Sequence, residues 1–67
     1  MNRLSQYNGD GNAYSIMAFV KKVLEATDRK DAFQDYYDQA TSGDYNNLLD
    51  VSAEWSGFGF DNYYEGE

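Results

Sequence analysis

The sequence predicts an all-α protein, a small three-helix bundle with an acidic, aromatic C-terminal tail. Apolar residues recur at helical spacing in three segments, cap-type residues flank each segment, and proline is absent. No run longer than GFGF at residues 57–60 alternates as a strand would. We therefore expect a three-helix domain over residues 1–57 and a tail over residues 58–67. For the tail, a frayed end, a short docked strand and a contact arm remain open.

The first predicted helix follows the stretch YNGDGNAYSI at residues 7–16. Asn12 stands immediately before the helix, where its side-chain oxygen can accept a hydrogen bond from a first-turn N–H. Asp10 adds negative charge near the positive end of the helix dipole. The periodic positions that form one helical stripe are Ala13, Ile16, Met17, Val20, Val23, Leu24 and Thr27. The segment NGDGN is therefore predicted to be a turn and a helix start.

A calcium-binding loop of the EF-hand type is the alternative use of NGDGN. Such a loop needs oxygen ligands at alternate positions, a central glycine and a closing glutamate. If the loop is counted from Asn8, Phe19 falls at the closing position, and if it is counted from Gln6, Met17 falls there. Because neither register supplies the closing carboxylate, we predict no metal site.

The second and third predicted helices begin at aspartates and end at glycines. Asp28 is the expected N-cap of the second helix, and Gly43 is its expected left-handed C-terminal residue. Asp44 is the expected N-cap of the third helix, which Gly57 ends. The positions at helical spacing are Phe33, Tyr36, Tyr37 and Ala40 in the second helix, and Tyr45, Leu48, Leu49, Val51, Ser52 and Trp55 in the third.

The composition excludes several functional classes. The chain has no histidine and no cysteine, which removes thiolate chemistry, disulfides, most zinc sites and the commonest general base. Carboxylate pairs such as Asp35 and Asp38 are expected on an exposed face without an apolar pocket, so we predict neither enzyme activity nor a cofactor. A signal peptide and a long apolar run are both missing, which predicts a soluble, intracellular protein.

Charge is distributed unevenly along the chain. The net charge is −7, yet residues 1–30 hold five basic and three acidic residues, whereas residues 31–67 hold nine acidic and no basic residues. Asp31, Asp35 and Asp38 are spaced to share one face of a helix, at a pitch comparable to that of phosphates along a nucleic acid. Such a surface attracts basic surfaces and repels nucleic acid. The alternative is a solvated surface that only keeps the protein soluble.

The candidate partner-binding surface combines these carboxylates with neighbouring tyrosines, which supply rigid contact area. Its predicted members are Asp31, Asp35, Tyr36, Tyr37, Asp38, Asp44, Asp61, Tyr63, Tyr64 and Glu65. The stripe Phe33, Tyr36 and Tyr37 has a second possible use, stacking on nucleic-acid bases. Because the surrounding aspartates would repel a nucleic-acid strand, packing in the core is preferred to stacking.

Two stretches of the chain resemble known sequence signatures. GDGNAYSIMAFVKKVLEAT at residues 9–27 and QATSGDYNNLL at residues 39–49 resemble small helical proteins encoded by phages and mobile elements. In those proteins a GNA-aromatic start precedes a helix, and an ATSGDY turn opens the last one. The resemblance implies caps and core positions and no activity. The tail GFGFDNYYEGE departs from those relatives, which end in a short hydrophobic strand, so the distinguishing feature of this protein is expected towards its C-terminus.

In charge and size the chain is also similar to DNA-mimicking anti-CRISPR proteins, which obstruct binding of target DNA. The resulting expectation is a non-catalytic inhibitor in the host cytoplasm, bound to the basic nucleic-acid-binding surface of a host defence complex such as a CRISPR effector. It would contact neither nucleic acid nor a membrane directly. Two alternatives remain, namely a helical module that oligomerises through its aromatic residues and a sponge for a small signalling nucleotide that uses Arg29 and Lys30. The oligomeric state is left open by the sequence.

Overall fold

The computed structural model describes residues 5–64 and confirms the all-α class, with no strand in that part of the chain. The three helices are α1 (Ala13–Ala26), α2 (Phe33–Ala40) and α3 (Tyr45–Ser56). Helix α3 packs against both α1 and α2. Short 3₁₀ turns lie before α2, at Lys30–Ala32, and after α3, at Asp61–Tyr63. The result is the predicted three-helix bundle.

Three of the predicted helix boundaries are confirmed. The Asn12 side chain accepts a hydrogen bond from the backbone N–H of Tyr14 at 2.8 Å, and the Asp44 carboxylate accepts one from the N–H of Asn47 at 2.9 Å. Gly57 ends α3 in the left-handed conformation, with φ of 78°. These boundaries depend on residues adjacent in sequence, which is why the sequence alone predicts them.

The prediction that Asp28 caps α2 is wrong, because Asp28 belongs to the end of α1. Its φ is 63°, and its N–H donates to the carbonyl of Glu25 at 3.3 Å. The N–H of Arg29 donates to the carbonyl of Leu24 at 2.7 Å, which completes a Schellman closure. Aspartate thus occupies a left-handed position usually taken by glycine. Helix α2 continues instead from the turn at Lys30–Ala32, without a side-chain cap.

The prediction that Gly43 ends α2 as a left-handed residue is also wrong. The helix ends at Ala40, and Thr41 follows with φ of −98° while its hydroxyl donates to the carbonyl of Tyr37 at 2.8 Å. Gly43 is needed for space, since a Cβ at this position would lie 2.9 Å from the Cβ of Asn47. The glycine lets the α2–α3 turn approach the first turn of α3 closely.

The core lies between the three helices and includes one residue from each flanking segment. Its buried members are Tyr7, Ile16, Met17, Val20, Leu24, Tyr36, Ala40, Leu48, Leu49 and Phe60. The buried polar residue among these side chains is Ser52, whose hydroxyl lies 2.7 Å from the hydroxyl of Tyr36. This hydrogen bond matters because a buried hydroxyl without a partner would cost about 1–3 kcal/mol.

Residues 58–64 of the tail dock against the helices. An isolated parallel bridge pairs Gln6 with Gly59. The N–H of Tyr7 donates to the carbonyl of Gly59 at 2.8 Å, and the N–H of Gly59 donates to the carbonyl of Ser5 at 2.7 Å. Phe60 is almost fully buried in the core. The amino-acid composition changes after residue 57, but residues 58–64 pack against the helices as part of the same globule.

Candidate protein-binding surface

The predicted aspartates of the second segment all face solvent, but they do not form one regular helical row. Asp31 lies in the 3₁₀ turn, whereas Asp35 and Asp38 lie on α2. Because a 3₁₀ turn has a different number of residues per turn from an α-helix, the expected spacing holds only for Asp35 and Asp38. Gln34 donates a hydrogen bond to the carboxylate of Asp38 at 2.9 Å. The acidic surface is thus present at the predicted residues, with a different arrangement.

The two adjacent tyrosines of α2 have opposite environments. The Tyr36 side chain is fully buried, rests 6.2 Å from the ring of Trp55 and bonds to Ser52. Burial raises the pKa of the Tyr36 hydroxyl, and the bond to Ser52 opposes that shift. The assignment of Tyr36 to a partner-binding surface is therefore corrected, because the ring is inaccessible in this fold. Tyr37, in contrast, is 40% exposed and stays available for contact.

A second acidic cluster forms where the tail meets α3. The hydroxyl of Tyr64 donates a hydrogen bond to the carboxylate of Asp50. Burial raises the pKa of Tyr64 to about 12, and the Asp50 hydrogen bond and the charges of Asp50 and Asp61 act in the same direction. Asp61 and Tyr64 are both exposed, so these side chains present two carboxylates and one aromatic ring to solvent. Glu65, the last predicted member, lies outside the described residues.

Two further predicted members have structural tasks. The Asp44 carboxylate is exposed but is engaged as the N-cap of α3. The Tyr63 ring is partly buried, 5.5 Å from the ring of Tyr7, and its hydroxyl donates to the carbonyl of Gly9 at 2.6 Å. Asp44 keeps a charge that a partner can meet. Tyr63 is less available to a partner, because its hydroxyl is bonded to Gly9 and much of its ring is packed within the protein.

Three exposed residues that the sequence prediction omits are also accessible to a partner. Asp50 and Glu54 lie one turn apart on the exposed side of α3. The apolar stripe of this helix leaves both positions facing outward, so a helical projection would have found them. Tyr14 is 78% exposed on the first turn of α1, the largest exposure among the large hydrophobic residues of the described chain. The apolar stripe of α1 does not include Tyr14, so the same helical projection would have found it.

Three tyrosine hydroxyls hold the NGDG loop, an arrangement that we name the tyrosine clamp. The donors are Tyr7, Tyr45 and Tyr63, and the acceptors are the carbonyls of Asp10, Gly11 and Gly9, respectively. A Cβ at Gly9 would lie 2.5 Å from the hydroxyl oxygen of Tyr7, so the loop fits closely against the clamp. The carbonyls of residues 9–11 are thus hydrogen-bonded within the protein. Across residues 5–64, no cluster of three or more acidic side chains is placed to hold a metal ion.

The basic residues of the first half are partly engaged. The Arg29 guanidinium donates to the carbonyl of Trp55 at 3.3 Å and to the hydroxyl of Thr27 at 3.2 Å. The ammonium of Lys21 lies 5.8 Å from the ring centroid of Phe33, within the range of a cation–π contact. Arg29 therefore links the end of α1 to the end of α3 and is not an unengaged cation.

An open groove of about 320 Å³ lies between α1 and the α2–α3 turn. Its lining is mostly apolar and consists of Ala13, Met17, Ala40, Thr41, Gly43, Asp44, Tyr45 and Leu48. The volume is at the small end of the range for ligand sites. The groove lacks a convergent set of polar groups, since the Asp44 carboxylate at its edge is engaged with Asn47.

No protein-family model, no curated protein and no solved structure matches this chain. The resemblance to small phage-encoded helical proteins therefore stays a prediction. Within residues 5–64, none of the helices combines the length and apolar character that crossing a membrane requires.

Proposed function

We propose that this protein is an acidic inhibitor that binds a basic, nucleic-acid-binding surface of another protein and competes there with nucleic acid. One observation carries the proposal. Every acidic residue between positions 31 and 64 is exposed to solvent, and that segment contains no basic residue. A surface whose only purpose is solubility normally mixes both signs of charge.

The proposed mechanism requires positioning and no catalysis. Carboxylates on α2 and at the α3–tail junction take the place of phosphates, and Tyr37 and Tyr64 supply contact area beside them. Long-range attraction between the acidic surface and a basic groove accelerates encounter, and this attraction weakens as salt screens it. Repulsion between the same carboxylates and phosphates disfavours direct binding of nucleic acid.

The first partner to test is a host defence complex that binds nucleic acid, such as a CRISPR effector. This choice depends on the resemblance of residues 9–27 and 39–49 to phage and mobile-element proteins, and on the similarity in charge and size to DNA-mimicking inhibitors. Under this proposal the protein acts in the cytoplasm of the host cell.

A homo-oligomeric interaction module is the second candidate, because Tyr14 is 78% exposed on a helix. Light scattering of the parent and of Tyr14→Ser separates the two candidates. If the protein oligomerises through Tyr14, the parent should be an oligomer and Tyr14→Ser should be a monomer. The nucleotide sponge is disfavoured, since the Arg29 guanidinium already bonds to Trp55 and Thr27.

The decisive experiment measures competition with target DNA on a purified effector complex. Inhibition by the parent should weaken steeply between about 50 and 200 mM salt, as contacts to a highly charged groove do. The combined variant Asp31→Lys, Asp35→Lys, Asp38→Lys should lose inhibition and keep its helical circular dichroism spectrum, because all three side chains are exposed. The matched control Lys21→Glu, Lys22→Glu should inhibit like the parent. If the triple variant folds and inhibits as well as the parent, the mimicry proposal fails.

A further inference from the structure

We propose that Asn8 is a site of spontaneous deamidation in the folded protein, and that its isoaspartate product loosens the tyrosine clamp. Residues 8–9 form the only Asn-Gly pair of the chain, and residues 10–11 form its only Asp-Gly pair. Both pairs are intrinsically suited to succinimide formation, because glycine has no side chain to hinder attack by its backbone nitrogen. The structure distinguishes between the two pairs.

The reaction needs only water. The backbone nitrogen of Gly9 loses its proton and attacks Cγ of Asn8, the bond between Cγ and the side-chain nitrogen breaks, and ammonia leaves. Water then opens the succinimide at either carbonyl. One opening produces aspartate, and the other produces isoaspartate, in which the main chain runs through the side-chain carbon. Either product replaces a neutral amide with a carboxylate.

Asn8 is the free member of the loop. It is exposed, and no hydrogen bond within residues 5–64 holds its side chain. The clamp acts on the carbonyl of Gly9, which lies beyond the attacking nitrogen. This bond restrains one of the two peptide groups that flank Gly9. The other group, which carries the attacking nitrogen, has no such bond in the described part of the chain, so the Asn8 side chain and that nitrogen can rotate towards each other.

Asp10 is held much more firmly. Its carboxylate accepts a hydrogen bond from the N–H of Asn12 at 3.1 Å. The carbonyl of Asp10 is bonded to Tyr7, and the carbonyl of Gly11 is bonded to Tyr45. Both peptide groups that would have to rotate are thus fixed, so the Asp-Gly pair is protected while the Asn-Gly pair reacts.

Isoaspartate at position 8 adds a methylene to the main chain between two anchored residues. The N–H of Tyr7 is bonded to Gly59 at 2.8 Å, and the carbonyl of Gly9 is bonded to the hydroxyl of Tyr63 at 2.6 Å. The longer segment cannot keep both anchors in their present positions. Because Gly59 and Tyr63 belong to the tail, the modification loosens the contact between the loop and the tail.

The test is timed incubation of the folded full chain in mildly alkaline buffer, since attack requires loss of the Gly9 amide proton. Ion exchange and intact mass spectrometry should reveal a more acidic species in which the side-chain NH₂ has been replaced by OH. Electron-transfer fragmentation of the tryptic peptide 4–21, which distinguishes isoaspartate from aspartate of equal mass, should place the change at Asn8 and show ordinary aspartate at position 10. Asn8→Gln should abolish the acidic species, because glutamine would have to form a larger ring.

Two matched variants test the structural part of the inference. Tyr63→Phe removes the hydroxyl that holds Gly9 and should accelerate deamidation. Tyr64→Phe removes the neighbouring hydroxyl, which binds Asp50 and not the loop, and should leave the rate at the parent value. The purified isoaspartate form should unfold at a lower temperature than the parent. An intact Asn8 in the folded parent, faster change at Asp10, or equal rates in the two tyrosine variants would each overturn the inference.

Discussion

The NGDG loop and the acidic face of α2 are both polar and both exposed, yet their polar atoms are used differently. In the loop, the carbonyls of Gly9, Asp10 and Gly11 accept bonds from buried or half-buried tyrosines. On α2, the carboxylates of Asp35 and Asp38 face solvent, and the one bond on them comes from an exposed neighbour on the same helix. The loop carbonyls are used to stabilise the fold, whereas the carboxylates on α2 are available to a partner.

The same contrast separates Tyr36 from Tyr37. Five of the seven tyrosine hydroxyls in the chain are hydrogen-bonded within the protein, three to the loop and one each to Ser52 and Asp50. A high tyrosine content is therefore mostly a feature of the fold here, and it does not by itself indicate an interface. Among the tyrosines, Tyr14 and Tyr37 remain candidates for contact through both ring and hydroxyl, whereas Tyr64 offers the exposed part of its ring.

The largest expected effect is on the buried member of the α2 pair. Tyr36→Ala should lower the free energy of unfolding by about 3–5 kcal/mol, because it removes a fully buried aromatic ring and leaves a cavity. Tyr37→Ala should stay within about 0.5 kcal/mol of the parent, as surface substitutions usually do. Urea denaturation followed by circular dichroism measures both. Equal losses would mean that the two rings are not packed as described.

An intermediate effect is expected at the helix cap beside the loop. Asn12→Ala should destabilise the protein by about 1 kcal/mol, because the N–H of Tyr14 loses its acceptor. Asn62→Ala is the control, since Asn62 is an exposed asparagine that caps no helix. Thermal melts of the two variants should differ. A parent-like melt for Asn12→Ala would show that the cap contributes nothing.

Alkaline pH should weaken the junction between the tail and α3. The pKa of Tyr64 is raised to about 12 from the ordinary value of 10.0, so the folded state holds this proton more tightly than the unfolded state. Its contribution is therefore complete below pH 10 and is lost as the pH rises towards 12. Unfolding measured across this range should show a smaller decrease for Tyr64→Phe than for the parent. The stability of Tyr64→Phe should still decrease with rising pH, because the pKa values of Tyr7 and Tyr36 are also raised in the folded state.

The smallest effect concerns the exposed carboxylates of α2. Asp38→Asn should raise the free energy of unfolding by a few tenths of a kcal/mol, because it removes repulsion with Asp35 one turn away and a negative charge in the last turn of the helix. The gain should shrink at high salt, where exposed charges are screened. Gln34→Ala serves as the comparison, since it removes the hydrogen bond on Asp38 and leaves the repulsion in place. A salt-independent change at Asp38 would contradict an electrostatic origin.

The parts of the fold that the sequence predicts are those fixed by neighbouring residues. Asn12, Asp44 and Gly57 act within one turn of their own positions, and all three boundaries are confirmed. The predictions for Asp28 and Gly43 are wrong because each residue type has more than one structural use. Asp28 occupies the left-handed position after α1, and Gly43 allows close packing against Asn47. Residue type alone does not separate these uses.

The parts that could not be predicted depend on contacts between distant residues. The hydroxyl of Tyr63 bonds to Gly9 across 54 residues, and the hydroxyl of Tyr45 bonds to Gly11 across 34 residues. Helical spacing places Tyr36 and Tyr37 side by side, but only the packing of α3 decides which ring is covered. Charge alone predicts the acidic residues, whereas the role of Asp50 at the tail depends on its hydrogen bond with Tyr64.

The pairing of residues 5–7 with residues 58–60 also bears on the order in which the protein opens. The helices are joined by short turns, so their contacts close small loops and form early, whereas the pairing of Gln6 with Gly59 closes nearly the whole described chain. We therefore expect this contact to form late in folding and to open before the contacts between the helices. The two outer segments should therefore detach together as one cooperative unit. Their release would uncover the Phe60 side of α1 while the three helices remain assembled.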